Sequence, residues 1–475
     1  MKQTFLVLAA LLLSAGLAMA QDNHPVVGIS DNRPDIYGLR GASVISSYDA
    51  DPVKTDILVV RGRIKALGKD LEFPEGTTVF DLEGKIIYPS FIDIHASYGV
   101  QKEKSDNDNP AASYMRQMQR GGPSEDEPRV ADYWNQGIHE SYDVLSGFKA
   151  DNEKAEAYRK AGFGAVVTSR DDGIARGRSA LVSLADDKTG RVVLKANASV
   201  NYSFDSGSSD DRYPTAQYGA IALLRQFYLD GQWYAKLPEG YFFDASLEAL
   251  RSNSSLPKIF EVSDKYEIMR ADAIADEFGI KYIIRGGGNE YQMLDEIKKA
   301  GVSLIVPLDF PEAPDVKDPY EAATVPLSEL KHWEMAPGNA GMISKAGIEF
   351  ALTSDELSKP GDFPEKLRKA VEAGLAKKQA LKALTYTPAK MIGAENMLGA
   401  IREGMVANML VCSGDIFDKD CVIHQNWIQG SPYSFVDPEM TNILGSYSLV
   451  AGDLTFDMLI SGKPDKPSIK IKSGR

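Results

Sequence analysis

Histidine and cysteine are scarce in this chain, whose 475 residues include five histidines and two cysteines. The cysteines, Cys412 and Cys421, cannot form a zinc site by themselves, because zinc in a structural site takes four protein ligands. An oxidising compartment would permit a bridge between them. We expect them either to face each other across a hairpin or to remain two separate buried thiols, and their Cα geometry decides which.

Basic clusters and long apolar runs are also missing from most of the chain. The formal net charge is −14, and no local group of lysines and arginines reverses it. A chain this acidic is repelled by phosphate backbones and by anionic lipid heads, so nucleic acid is not an expected partner. Beyond the first twenty residues, no segment is apolar enough to be expected to cross a membrane.

The first twenty residues have the pattern of a secretory signal. Lys2 supplies a positive charge, residues 5–17 form a nearly unbroken apolar run, and residues 18–20 have the small-x-small form of a cleavage site. The apolar run is too short for a comfortable membrane span. We therefore expect residues 1–20 to be removed, which leaves a soluble protein in the periplasm or outside the cell.

The chain changes character near Tyr88. Residues 25–88 alternate short β-type runs with glycine and proline turns, which is typical of small antiparallel strands. From there, apolar strands alternate with amphipathic helices over roughly 300 residues, and this repetition predicts a parallel sheet with helices outside it. A (β/α)8 barrel suits that length, and three long polar loops (residues 101–132, 197–214 and 311–326) are expected at its C-terminal face.

Several segments of the chain together carry a family resemblance. In Lys85–Ser97, Pro-Ser-Phe-Ile-Asp leads into His-Ala-Ser. This segment resembles the opening signature of the amidohydrolase superfamily, and of its imidazolonepropionase-like group most closely, in which Pro-Gly-Phe-Ile-Asp leads into His-x-His at the end of the first barrel strand. Leu58–Ile64 resembles the preceding strand pair, and Thr353–Asp355 resembles the aspartate position after the last strand. Ala380–Lys390 and Leu398–Gly404 resemble the C-terminal helix and the return to the β domain.

This resemblance implies a TIM-type (β/α)8 barrel with a small β-sandwich formed by both chain ends. The implied parts, in order, are the signal peptide, the first part of the β domain, the barrel, the second part of the β domain and a β-rich tail: residues 1–20, 21–88, 89–397, 398–440 and 441–475. The resemblance also implies hydrolysis of non-peptide carbon–nitrogen bonds, as in cyclic amides. A divalent metal that lowers the pKa of a bound water would supply the nucleophile.

The histidines that such a metal needs are mostly absent. The resemblance implies two histidines on the first strand, one each on the fifth and sixth strands, and an aspartate after the last. His95 and Asp355 match, whereas Ser97, Glu261 and Gly286 stand at the other three positions. Exchanging an imidazole for a carboxylate adds negative charge, which raises the pKa of a metal-bound water.

The remaining candidate metal ligands are His95, Glu261 and Asp355, and Asp355 is also the expected catalytic proton shuttle. They are expected to bind one Zn²⁺ or Mn²⁺ weakly, or no metal. Arg285 is a candidate for substrate binding. The glycines that follow it, residues 286–288, are expected either to cradle an anion with their N–H groups or to form a flexible loop.

A polar turn carries a further candidate site. Residues 171–173, with Arg176 and Arg178, could bind a polar substrate, although a solvated turn is the default interpretation.

Two functions from different classes follow from these patterns. One is a metal-dependent hydrolase of small molecules whose activity is weak or lost. The other is a pseudoenzyme, a non-catalytic binding or partner subunit of an active amidohydrolase. An oligomer is expected, since tail strands such as Met458–Ile460 could extend a partner's sheet. The missing ligands favour the pseudoenzyme.

Overall fold

The computed structural model describes residues 36–100, 132–209, 211, 213–238, 240–436, 443–451, 454–463 and 466–472. The expected signal peptide and all but the last residue of the loop at 101–132 lie outside the described residues. Within the described ranges, no helix is long and apolar enough to cross a membrane.

The strands of the described residues are β1 (Ile36–Arg40), β2 (Ser43–Val44), β3 (Val53–Lys54), β4 (Asp56–Val60), β5 (Arg63–Gly68), β6 (Thr78–Asp81), β7 (Ile86–Pro89), β8 (Phe91–Ala96), β9 (Phe163–Thr168), β10 (Ala175–Arg178), β11 (Ala180–Ser183), β12 (Val193–Lys195), β13 (Val200–Ser203), β14 (Lys258–Glu261), β15 (Tyr282–Arg285), β16 (Ser303–Pro307), β17 (Phe350–Thr353), β18 (Met409–Cys412), β19 (Ile423–Ile428), β20 (Ser431–Ser434), β21 (Gly445–Ala451), β22 (Leu454–Lys463) and β23 (Lys466–Lys472).

The helices of the described residues are α1 (Val144–Gly147), α2 (Asn152–Lys160), α3 (Thr189–Val192), α4 (Gln217–Tyr234), α5 (Ala245–Ser252), α6 (Lys265–Phe278), α7 (Leu294–Ala300), α8 (Pro319–Thr324), α9 (Leu327–Met335), α10 (Asn339–Ala346), α11 (Phe363–Glu372), α12 (Lys377–Leu384) and α13 (Tyr386–Met391). Single 3₁₀ turns lie at Glu290–Gln292, Ala336–Gly338 and Pro360–Asp362.

The centre of the fold is a set of parallel strands separated along the chain by helices. β8 and β9 pair in parallel, and β13 to β17 pair in parallel in chain order. Apolar side chains from both groups, including Ile94, Val167, Ile259 and Ala351, form one buried cluster. The two groups therefore enclose a common interior, as in the TIM-barrel-type α/β fold that the sequence predicts.

The third strand position differs from the prediction. β10 and β11 are separated only by Ser179, and they pair antiparallel with β13 and β9 respectively. The expectation of parallel pairing is wrong here, because residues 169–174 join β9 to β10 without the crossover helix that a parallel connection requires. Hydrogen bonding thus groups the strands into two sheets, β12-β11-β9-β8 and β10-β13-β14-β15-β16-β17, rather than into one closed barrel.

Both ends of the chain contribute to a further pair of sheets. β7 pairs antiparallel with β18, which places Ile87 opposite Val411. The two sheets, β5-β4-β1-β6 and β20-β19-β18-β7-β2-β3, supply side chains such as Leu39 and Trp427 to one buried cluster. The chain ends therefore meet as the resemblance implies, while the sandwich arrangement and the domain boundaries stay predictions.

The tail forms an antiparallel sheet in the order β21-β22-β23. Its register places Tyr447 beside Met458, and Met458 beside Ile471, so one face of the sheet is rich in apolar residues. This agrees with the β-rich character of the predicted tail.

The two cysteines are free thiols that lie beside each other in the structure. Cys412 lies opposite Ile423 in the pairing of β18 with β19, so Cys421 is not its cross-strand partner. Burial raises the pKa of the Cys412 thiol. Of the two alternatives left open by the sequence, the structure shows the unbridged pair.

A fully buried acid lies in the core formed by the sheet and its outer helices. The Glu140 Oε1 accepts a hydrogen bond from the Tyr202 hydroxyl at 3.1 Å, and its Oε2 has no hydrogen-bond partner. The hydroxyls of Tyr228 and Tyr282 lie 2.6 Å apart, and both rings contact Tyr202. Burial raises the pKa of Glu140 to about 7, although Tyr202 and the charge of Lys258 act against it.

The start of α6 offers a local test of the fold. The Asp264 side chain accepts hydrogen bonds from the backbone N–H groups of Tyr266 and Glu267 at 2.6 and 3.0 Å. Asp264→Ala is expected to lower the free energy of unfolding by about 1 kcal/mol, since it removes an N-cap. Urea denaturation measures this, with Asp264→Asn as the cap-preserving control. Equal stability of the two variants would contradict the assignment.

Candidate functional site

Charged side chains meet where the parallel strands end. His95 lies near the end of β8, Glu261 ends β14, and Asp355 follows β17 by two residues. Arg285 ends β15, and Arg176 lies in β10. The carboxyl ends of parallel strands form the mouth at which barrel proteins keep their sites. The structure thus brings the three predicted ligands to one place, together with two arginines.

His95 is buried between two carboxylates. Its Nε2 lies 3.6 Å from Glu261 Oε2, and its Nδ1 lies 3.3 Å from Asp355 Oδ2. The Asp355 contact is within ion-pair distance but is not a hydrogen bond, so the buried Nδ1 has no hydrogen-bond partner. The two nitrogens of an imidazole point in different directions. The carboxylates therefore lie at different edges of the ring.

Arg176 is the ion-pair partner of Glu261. The side chain is 2% exposed, its Nη1 donates to Glu261 Oε2 at 2.6 Å, and its Nε donates to the Gly173 carbonyl at 3.0 Å. Burial acts to raise the pKa of Glu261, but positive charge, chiefly that of Arg176, outweighs it and leaves this pKa below its usual value. Glu261 is therefore held in its ionised form.

Arg285 binds two carboxylates at once. Its Nε and Nη2 donate to Asp355 Oδ2 at 2.8 and 2.5 Å, and Nη2 also donates to Glu356 Oε1 at 2.5 Å. Burial acts to raise the pKa of Asp355, but the contacts with His95 and Arg285 hold it well below its usual value. The donors of Arg285 are thus engaged within the protein, so substrate binding by Arg285 requires an exchange of partners and stays a prediction.

The strand register identifies which residue stands beside Glu261. In the pairing of β14 with β15, Glu261 lies opposite Arg285. The assignment of Gly286 to the family's sixth-strand histidine stays a prediction. Glu356 has a φ of 70°, an uncommon left-handed conformation for a residue other than glycine.

A third carboxylate, which the sequence did not single out as functional, lies beside His95. Asp93 is fully buried and accepts hydrogen bonds from Ser354 Oγ and N at 2.5 and 3.1 Å, from Thr353 Oγ1 at 2.6 Å and from His95 N at 3.3 Å. Burial raises the pKa of Asp93. These bonds join β8 to the chain directly after β17, and so position His95 relative to Asp355.

An open cavity lies where the chain leaves β8. It has a volume of about 720 Å³, and its lining includes Ser97, Lys149, Asp151, Lys154 and Asp171. Ser97 is the residue predicted at the family's second histidine position. Small-molecule sites commonly have volumes of about 300–1,000 Å³, so this cavity has room for a small polar ligand.

The arrangement does not fit a bound catalytic metal. Glu261 and Asp355 face different nitrogens of His95, so the three side chains do not converge on one point. Each facing oxygen also accepts a hydrogen bond from an arginine. Among the described residues, no group of three or more His, Cys, Asp or Glu side chains is placed to hold a metal ion. No reaction step through a metal is therefore derived for this chain.

The glycine loop after Arg285 binds one of the protein's own carboxylates. Gly288 N donates to Glu290 Oε1 at 2.9 Å, and Asn339 Nδ2 donates to Glu290 Oε2. A Cβ at Gly286 would lie 1.9 Å from Glu290 Oε1, so glycine is needed for this approach. The anion predicted for this loop is thus Glu290 itself.

The polar turn at residues 171–173 also has internal partners. Asp172 Oδ2 accepts hydrogen bonds from Arg170 at 2.6 Å and from Ser208 Oγ at 2.8 Å. Arg178 donates to Asp143 at 2.9 Å. Of the residues suggested there, Arg176 forms an ion pair with Glu261 in the site, and Asp171 lines the cavity that includes Ser97.

One family model matches part of the chain. Residues 254–444 match the family model described as the amidohydrolase family. The fold matches the crystal structure of an amidohydrolase from Thermotoga maritima with a TM-score of 0.65 and 20% identity, over 84% of this chain and 100% of the other. The match over residues 254–444 agrees with the amidohydrolase superfamily that the motifs predict, and the fold agrees with it as well. The narrower likeness to the imidazolonepropionase-like group stays a prediction.

Similarity to curated proteins is confined to short stretches. A dihydroorotase of Caldicellulosiruptor saccharolyticus is 45% identical over 58 residues, which is 12% of this chain and 14% of that protein. A dihydroorotase of Lactobacillus leichmannii is 44% identical over 46 residues, 10% of each chain. The chain therefore matches only about a seventh, or less, of the length of these relatives.

Proposed function

We propose that this chain is an exported amidohydrolase-superfamily protein in which hydrolysis of non-peptide carbon–nitrogen bonds is weak or lost, and which acts as a binding or partner subunit. The observation that carries the proposal is the pairing of each candidate carboxylate ligand with a buried arginine. Each arginine competes with a metal ion for the lone pairs of its carboxylate, and its positive charge repels a divalent cation. Without a metal, the nucleophilic hydroxide of the family reaction has no source.

The cavity lined by Ser97 and Asp171 supports a retained binding role. Its lining carries both lysines and acids, so the ligand it suits is a small polar molecule. The alternative ligand in this proposal is a protein partner, such as an active relative. The signal-like first twenty residues support export to the periplasm or beyond. Assembly into an oligomer is part of the same proposal.

The decisive experiment measures metal content and turnover together. Residues 21–475 would be purified without chelator, and metal per chain would be measured by elemental analysis for the wild type and for His95→Ala. We expect substoichiometric metal in both. We also expect no hydrolysis of dihydroorotate, other cyclic amides or dipeptides above the rate of His95→Ala, because the site lacks a metal-bound hydroxide.

A second candidate function is hydrolysis of a cyclic amide by an intact enzyme. The local similarity to dihydroorotases favours it, as does the closeness of His95 to both carboxylates. Near-stoichiometric metal that disappears in His95→Ala, together with turnover that disappears with it, would establish this candidate and overturn the first.

A further inference from the structure

We infer that the guanidinium group of Arg285 replaces a metal cation as the positive partner of Asp355 beside His95, so that the barrel mouth contains a latent metal position from which Arg285 excludes an ion. The inference deepens the proposed function and rests on it, because it explains how the buried carboxylates at the barrel mouth of a superfamily member can be neutralised without a metal. It concerns one edge of the His95 ring, the edge that carries Nδ1.

The separation of two donor atoms suggests the position. His95 Nδ1 and Asp355 Oδ2 lie 3.3 Å apart. Two ligands of a tetrahedral zinc ion, each at about 2.0–2.1 Å from the metal, are also separated by about 3.3 Å. Nδ1 is buried and has no hydrogen-bond partner. Burying a polar atom without a partner lowers the stability of the folded protein. The pair is thus spaced for a shared cation.

Arg285 supplies positive charge at the same place. Both its Nε and its Nη2 donate to Oδ2, the Asp355 oxygen that faces Nδ1. The side chain is 3% exposed, so its charge is poorly screened by water. A divalent cation would meet both a repelling charge and an oxygen whose lone pairs are already engaged. Arg285 therefore excludes metal and neutralises Asp355 at the same time.

The neighbouring charges complete the balance. Arg176 neutralises Glu261 at the other edge of the ring, and Glu356 accepts a further hydrogen bond from Arg285. Removal of Arg285 would leave Asp355 and Glu356 without this cation. An imidazole introduced at position 285 would add a third donor beside the 3.3 Å pair, and its smaller side chain would leave room for an ion.

The test compares zinc binding by the wild type and by Arg285→His. We expect Arg285→His to take up one Zn²⁺ per chain, with an affinity at least about 100-fold higher than that of the wild type, because a repelling cation is exchanged for a ligand. Cobalt substitution should give the visible absorption of a tetrahedral site in this variant. Arg285→Gln, which removes the charge without adding an imidazole, and the double variant Arg285→His/His95→Ala should both bind more weakly than Arg285→His.

Two outcomes would overturn the inference. One is a folded Arg285→His protein, checked by circular dichroism, that binds zinc no better than the wild type. The other is stoichiometric zinc in the wild type that requires His95; this result is informative even if Arg285→His does not fold. Hydrolysis by a metal-free wild type would refute the proposed function while leaving the inference about Arg285 in place.

Discussion

Asp93→Ala is expected to lower the free energy of unfolding by about 3 kcal/mol. Asp93 is the fully buried acceptor for hydrogen bonds from Thr353, Ser354 and His95. Each buried donor left without a partner costs about 1–3 kcal/mol, and removal of a buried charge offsets part of the sum. Urea denaturation of the wild type and the variant measures the loss.

Asp93→Asn separates hydrogen bonding from general damage to the core. The amide keeps one acceptor oxygen, whereas its NH₂ group opposes the donors around it, so a loss of about half that of alanine is expected. Alanine and asparagine variants of equal stability would show that the four hydrogen bonds do not hold β8 to the end of β17.

Glu140→Gln is expected to stabilise the protein at alkaline pH and to leave it unchanged in acid. Burial raises the pKa of Glu140 to about 7, whereas an unfolded glutamate titrates near 4.5. Between these values the folded state binds the extra proton, so wild-type stability falls as pH rises from about 4.5 to about 7. The pKa difference corresponds to about 3 kcal/mol at pH 8, which a neutral glutamine removes.

Urea denaturation of both proteins at pH 4.5 and pH 8 tests this sign. Glutamine keeps an acceptor oxygen for the Tyr202 hydroxyl, so the hydrogen bond at 3.1 Å is preserved. Glu75→Gln, at an exposed turn, is the control and should show no comparable difference between the two pH values. A stability change in Glu140→Gln that is the same at both pH values would refute the assignment.

The fold class can be predicted from local sequence patterns, and the structure has the strands and helices that these patterns indicate. Alternating strands and helices indicate the α/β class, and the apolar runs at β14 to β17 mark strands that are indeed parallel. The reversed strand at residues 175–183 could not be predicted in the same way. Its direction depends on the short connection from β9 and on pairing with β13, which is a contact distant in sequence.

The sequence predicts which residues lie at the site better than it predicts the ion pairs between them. The opening and closing motifs of the barrel indicate His95 near the end of the first strand and Asp355 just after the last strand. Arg176 was noted only as part of a polar turn, since its place at the mouth results from the reversed strand that carries it. The ion pairs of Arg176 and Arg285 depend on side-chain packing, for which the sequence contains no local signal.

The two edges of the tail sheet have unequal consequences for solubility. β23 carries Lys466, Lys470 and Lys472, and a lysine-rich edge resists pairing with another chain. β21 is the other outer strand of this sheet among the described residues, and it has no charged residue and no proline. Aggregation at high protein concentration would therefore begin at β21. A lysine in place of an exposed residue such as Ser448 would oppose this pairing with another chain.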